Sequence, residues 1–293
     1  MKYDFKTVSI LILLFLSAQL VGLGLLYKSM AVEVVGGEEQ VVYGETVFGP
    51  RPDLYGWEAF LWILGGIGIS TVLVLIIVWL KRVNWWRLLF FISIFSAISL
   101  ALGTFLNPLI AFGLAFILAL IKIFKPNILI YNVSEILMYG GIALLIVPLF
   151  DILWVTVLLL VISLYDIYAV FKSKHMVKMA KFQMKSKVFA GIMIPVKSVK
   201  NVGKGKKKQI STAIIGGGDV AFPLVFSGVV METLVKSFQL TKEIAFLKTL
   251  LIPVFVTLAI LFLLFKGKQG KFYPAMPFIT AGCLISYAII MLI

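Results

Sequence analysis

The sequence predicts an all-α polytopic membrane protein of nine transmembrane helices, with the N-terminus cytoplasmic and the C-terminus outside. Three observations carry that prediction. The chain of 293 residues is 61% hydrophobic and 14% charged, against roughly 45–50% and about 25% in soluble globular domains. Apolar runs of about 18 residues or more recur along its whole length, each able to cross a hydrocarbon core about 30 Å thick. Segments of about 10 residues with alternating polarity, the pattern of a transmembrane barrel, are missing.

The elements follow in order. Span one, 7–27, exceeds a signal-peptide core and lacks a small-x-small cleavage site, so it stays in the membrane. The outer loop 28–57 holds two β-prone runs, around Val32–Val35 and Val41–Tyr43, flanking Gly36-Gly37. That pattern reads as a hairpin, and a lid over the bundle is one role for it. Span two, 58–80, contains Gly65-Gly66-Ile67-Gly68. These small residues suit close helix packing; a phosphate loop would need a strand before them and a helix after. Trp57, Trp62, Trp85 and Trp86 read as interface anchors. Spans three to five occupy 86–106, 108–124 and 130–150, with Glu135, Asn132 and Ser134 read as interfacial residues at the inner edge of span five. Span six is 152–171. Spans seven to nine are 210–231, 245–265 and 272–292. The chain thus divides into spans one to six (1–171), a basic loop (172–209) and spans seven to nine (210–293).

Charge placement sets the orientation. With the N-terminus inside, the cytoplasmic side holds 22 of the 27 basic residues, twelve of them lysines between Lys172 and Lys208. Inverting the chain would carry all of them across, so the positive-inside rule selects N-in, C-out. The net charge of +14 therefore belongs to a face meeting anionic lipid headgroups, and nucleic acid is not an expected partner. The loop 172–209 is long and rich in lysine and glycine near Gly203–Lys208, so parts of it are expected to be disordered. Its one apolar insert, Val188–Pro195, reads as an interfacial segment, with plugging of a cleft as the alternative.

Two residues stand out against this background. Asp166 and Asp219 each lie inside an apolar run, where a charge costs from about 3 to well over 10 kcal/mol. Asp166 precedes Lys172 by six residues, about 9 Å of helix. Asp219 follows Lys208 by eleven, about 13–16 Å if helical. The two arrive at similar depth from opposite directions, on spans joined by one loop. Two carboxylates within reach in a low-dielectric site share one proton. The ionised member can then deprotonate water while the protonated member polarises a carbonyl. Gly216, Gly217 and Gly218 weaken the helix before Asp219 and admit another backbone. Pro223 removes a helical hydrogen bond just after it. Irregular backbone at this depth requires protein or a wet cavity beside it. Pro274-Ala275-Met276-Pro277 opens span nine from the same side. Its two prolines deny a regular helix start and offer an edge for an extended substrate.

Together these residues resemble the presenilin and signal peptide peptidase family, the GxGD intramembrane aspartyl proteases. The family signature is Tyr-Asp in span six, Gly-x-Gly-Asp in span seven and Pro-Ala-Leu at span nine. It is matched at Tyr165-Asp166, at Gly216-Gly217-Gly218-Asp219 and at Pro274-Ala275-Met276. Met276 replaces the family leucine, a tolerant apolar swap, and Gly217 fills the variable position. The nine-span layout and the long loop before span seven match as well. The inferred orientation is similar to presenilin and opposite to signal peptide peptidase, and the short chain looks like an archaeal homologue. The resemblance implies cleavage of transmembrane protein or peptide substrates within the cell membrane. It implies that Asp166 and Asp219 are the catalytic pair, and that the Pro-Ala-Met segment holds substrate as a strand. No cofactor is implied; a homo-oligomer is left open.

The rival use of two intramembrane acids is a proton or cation relay in a transporter or channel. Transporters commonly carry internal repeats with paired broken spans, and none is visible. Cys283, the one cysteine, reads as a packing residue. His175, the one histidine, lies in the lysine-rich loop, too far from Cys283 to suggest a metal site or a nucleophile–base pair.

Overall fold

The computed structural model of the chain describes residues 5–35, 38–125, 127–173, 175–186, 188–202, 205–266 and 273–293. Helix α1 (Phe5–Ser29) leads into the antiparallel pair β1 (Met30–Val35) and β2 (Glu38–Tyr43). Then come α2 (Trp57–Trp79), α3 (Val83–Gly103), α4 (Pro108–Phe124) and α5 (Ile128–Ile146), the last extended by a 3₁₀ turn at Val147–Leu149. Helix α6 (Ile152–Ile167) runs on into a π-helical turn at Tyr168–Lys172. Beyond it lie α7 (His175–Ser186), the hairpin of β3 (Gly191–Val202) and β4 (Gly205–Gly216), α8 (Gly217–Lys236), α9 (Lys242–Thr249), α10 (Leu251–Lys266) and α11 (Met276–Leu292). Seven helical stretches are long and apolar enough to cross a membrane, and Pro108–Phe124 and Met276–Leu292 are apolar but shorter.

Apolar side chains in lipid leave a backbone no partner but itself, so these runs become helices. Their ends are marked by short polar residues. Asn107 accepts from the Leu109 N–H at 2.9 Å, Asn127 from Leu129 at 3.0 Å and Asp151 from Trp154 at 2.8 Å, each satisfying a donor that the first turn leaves over. Helices α5 and α8 form the centre of the bundle. The first packs against α1, α3 and α8, and the second also meets α1, α6, α10 and α11. Gly141 sets the closest crossing, because a Cβ there would come within 1.8 Å of the Ala97 carbonyl on α3. Helix α2 stands at the edge: 6% of its most apolar stretch is buried, against 72% for α8.

Several expectations change here. The glycines of α2 do not pack helices, since a Cβ on Gly65, Gly66 or Gly68 would meet nothing within 4 Å. Residues 210–216, read as the first turns of span seven, are strand, and the helix begins at Gly217. A short apolar run does not by itself distinguish strand from helix; the β-branched residues of 210–215 pair across to 192–197 instead. Span nine starts at Met276 rather than 272. Pro277 sits in its first turn, where a missing N–H removes no helical bond, so the prolines do not deny a helix start. In the loop expected to be partly disordered, the described residues form α7 and the β3–β4 hairpin. The Val188–Pro195 insert is not interfacial at its start: Val188, Phe189 and Ile192 are buried in the core. Trp86 is buried too and donates its indole N–H to the Val188 carbonyl at 2.9 Å. Glu135, read as interfacial, is fully buried.

The β1–β2 hairpin forms as expected, with Met30 opposite Tyr43 and Val35 opposite Glu38; Gly36 and Gly37 lie outside the described residues. It is fastened to the bundle. The Tyr43 hydroxyl donates to Glu232 on α8 at 2.9 Å, and the Arg51 guanidinium lies 5.3 Å from the Tyr43 ring centroid.

Candidate active site

Asp166 occupies the last turn of α6, just before the helix widens into its π turn. Its side chain is buried, and Oδ2 accepts the Met276 backbone N–H at 3.1 Å; the Ala275 N–H is a second donor. Both donors come from the segment that opens α11. Met276 and Pro274 are buried and Ala275 is half-buried. The stretch that opens α11 is thus held to the carboxylate of α6 through its main chain.

Asp219 lies in the first turn of α8, and its carboxylate reaches back to the N–H of Gly216, the residue that caps the helix. An acid at this position satisfies a leftover N-terminal donor and faces the positive end of the helix dipole. Pro223 has no N–H to offer the Asp219 carbonyl, one turn back. Nearby, Gln19 of α1 donates to the Val220 carbonyl at 2.8 Å, while its own buried Oε1 meets no hydrogen-bond donor among the described residues. The neighbouring glycines differ in their surroundings. A Cβ on Gly216 would lie 3.0 Å from Asp219 itself, one on Gly217 3.1 Å from the Tyr139 hydroxyl, and one on Gly218 no closer than 3.4 Å to Phe222. Gly217 is also tied through its N–H to the Ala190 carbonyl at 3.1 Å. The helical depth estimate for Asp219 fails, because the chain reaches it along a strand.

The two carboxylates share one cavity of about 180 Å³. Gly216 and Ala275 form its polar wall beside them, and Phe189, Ile215, Ile260 and Leu264 its apolar wall. Each lies within electrostatic reach of the other. Neither belongs to an ion pair among the described residues. The cavity thus places two carboxylates against one apolar wall. No group of three metal-ligating side chains occurs among the described residues.

Tyr165 does not join them. Its hydroxyl meets His175 Nε2 at 2.8 Å, and it lines a separate apolar cavity of about 410 Å³ between α2 and α6. Gly218 is exposed at the helix end. Sequence reasoning missed Gln19, Tyr139 and the buried Lys122–Glu135 pair. The only signal was the presence of polar side chains within apolar runs, which spacing alone could not connect to Asp219.

A family profile described as signal-peptide peptidase, presenilin aspartyl protease matches residues 61–293. Two crystal structures of a presenilin family intramembrane aspartate protease share the fold. The form in space group C222 aligns with a TM-score of 0.60 at 15% identity over 98% of each chain. The P2 form aligns with 0.57 at 16% identity over 96% of each. No curated protein matches the chain.

Proposed function

Because the chain belongs to the signal-peptide peptidase and presenilin aspartyl protease family, we propose that it is an intramembrane aspartyl endopeptidase that cleaves transmembrane segments with Asp166 and Asp219. The observation that carries this reading is the shared cavity, into which both carboxylates open with backbone N–H groups as their partners. The ionised carboxylate takes a proton from water as the oxygen attacks the scissile carbonyl carbon. The protonated one gives its proton to the carbonyl oxygen. Collapse of the tetrahedral intermediate breaks the C–N bond, and the amine leaves with a proton from the dyad.

The Pro274-Ala275-Met276 segment orients Asp166 through two N–H groups, and Gly216 does the same for Asp219. Gly217 lets the start of α8 lie against Tyr139 and Ala190, and Gly218 supports the helix end beside Asp219. Tyr165 stands outside the cavity, with its hydroxyl on His175. Nine apolar helices cross the cell membrane with the N-terminus inside, a reading that the lysine distribution supports. Substrates are transmembrane proteins or peptides.

The test is a reconstituted single-span peptide incubated with wild type, Asp166→Ala or Asp219→Ala and read by mass spectrometry. Wild type cuts within the apolar stretch and both variants are silent. Retained cleavage in either variant overturns the assignment. A parallel proton-flux measurement in liposomes would favour a relay if flux needed both aspartates and no peptide were cut.

A further inference from the structure

Behind Gly217 lies a buried polar chain that the chemistry above does not use. Lys122 of α4 and Glu135 of α5 form an ion pair with both side chains almost fully enclosed. The other Glu135 oxygen accepts from the Tyr139 hydroxyl, and the Gly191 backbone N–H also donates to this carboxylate. Lys122 rests 4.7 Å from the centroid of the Tyr131 ring. Tyr131, Glu135 and Tyr139 are four residues apart, so they form one stripe along α5.

That stripe faces the base of the β3–β4 hairpin. Tyr131 donates to the Phe189 carbonyl. Asn132 clamps Met193 by two bonds of 3.0 Å, its Nδ2 donating to the carbonyl and its Oδ1 accepting the N–H. Gly191, with φ of +156°, is where β3 begins, and it pairs with Gly216. A Cβ there would lie 2.4 Å from the Ile215 carbonyl, so Gly191 has no room for a side chain. From Gly216 the chain enters α8, and Asp219 follows three residues later.

We propose that Lys122, Glu135 and Tyr139 are positioning residues that hold the hairpin base on α5 and thereby set where Gly216–Asp219 stands in the cavity. The path is continuous: ammonium to carboxylate, carboxylate to the Gly191 N–H, Gly191 to Gly216 by strand pairing, and Gly216 to the Asp219 side chain. Tyr139 adds a second contact through its hydroxyl beside Gly217. An apolar filling would pack as well as the ion pair and desolvate nothing, but it would offer Gly191 no acceptor. The link to catalysis rests on the protease reading; the structural link does not.

Two variants test it. Lys122→Met/Glu135→Leu removes the pair without leaving a lone buried charge, and Tyr139→Phe removes only a hydroxyl. Hydrogen exchange is followed in 189–194 and 214–218, with α1 and α11 as folding controls. Protection in those two segments should fall by about tenfold or more in the double variant while the control helices keep theirs. With a labelled single-span peptide, kcat should fall by up to about 100-fold, because an ångström of misplacement costs that much, with KM within about twofold. Unchanged protection at 189–194 and 214–218 in both variants overturns the proposal. Lost protection with wild-type kcat overturns its catalytic part. If wild type itself cuts nothing, the protease reading fails, and the exchange result still decides whether the network holds the hairpin.

Discussion

Asp219 and Glu135 are acids set in neighbouring apolar helices, and their surroundings differ in kind. Glu135 is met by an ammonium, a phenol and a backbone N–H, and it touches no cavity among those described. Asp219 is met by one backbone N–H and another carboxylate, and it opens into a cavity. Glu232 resembles Glu135, with Lys236 and Tyr43 as partners. Asp166 resembles Asp219, with two N–H donors from the segment that opens α11. A buried acid with a cation and hydrogen-bond donors around it is held in place by them and contributes to architecture. A buried acid held by neutral donors beside an open space can change its charge with little rearrangement. The difference lies in the partners, since all four residues sit in apolar sequence.

The comparison breaks most sharply under isosteric amides. Asp166→Asn and Asp219→Asn keep an acceptor for Met276 and Gly216 but cannot shuttle a proton. Each should lower peptide cleavage by about 10²–10⁴-fold, the usual worth of general acid–base catalysis, with an unfolding midpoint no lower than that of wild type. Glu135→Gln should do the reverse to stability. It leaves Lys122 enclosed without a counter-charge, a loss of about 3–5 kcal/mol by denaturation in detergent micelles. If Glu135→Gln unfolds like wild type while Asp219→Asn is destabilised, the division between the two kinds of acid is wrong.

A smaller effect tests the cluster that fastens the β1–β2 hairpin. Burial, reinforced by the Glu232 charge, holds the Tyr43 hydroxyl well above the ordinary tyrosine range. A folded-state value above the unfolded one means that the hydroxyl's contribution is fully present below about pH 10 and is lost as the pH rises beyond it. Tyr43→Phe forfeits a hydrogen bond to a charged group, about 1.5–3 kcal/mol at neutral pH. It should also flatten the loss of stability expected of wild type above about pH 10. A variant with an unchanged alkaline limb would remove Tyr43 from the cluster that fastens the hairpin.

How much of this was legible in sequence follows from which interactions are local. The apolar helices could be read because bilayer-length runs allow few alternatives, and the β1–β2 hairpin because Gly-Gly between β-prone runs is a local signal. Asp166, Asp219 and the Pro-Ala-Met segment were visible because each breaks an apolar pattern. What connects them was not. That residues 210–216 are strand depends on partners at 191–197, from 13 to 25 residues earlier in the chain, and their apolar composition fits helix equally well. That Lys122 neutralises Glu135 depends on the packing of α4 against α5. Tyr165 misled in the opposite direction: it is adjacent to Asp166 in sequence, but successive helical residues point about 100° apart, and its hydroxyl faces His175.

His175 supplies the mildest test. Like the two aspartates, it is held by neutral groups, with Nε2 on the Tyr165 hydroxyl at 2.8 Å and Nδ1 on Ser173 Oγ at 2.5 Å. Partial burial pushes the imidazole below its ordinary value, so the neutral ring is the favoured form. The sign is therefore opposite to that of Tyr43: the contribution of His175 to docking α7 is present above about pH 6.5 and is lost as the pH falls through its lower folded value. As the only histidine in the chain, it gives a single imidazole resonance, and an NMR titration should place its midpoint below 6.5, with Tyr165→Phe moving that midpoint. A midpoint above 6.5 would require an acidic partner at His175, and the separation of neutral-held from ion-paired groups would fail there.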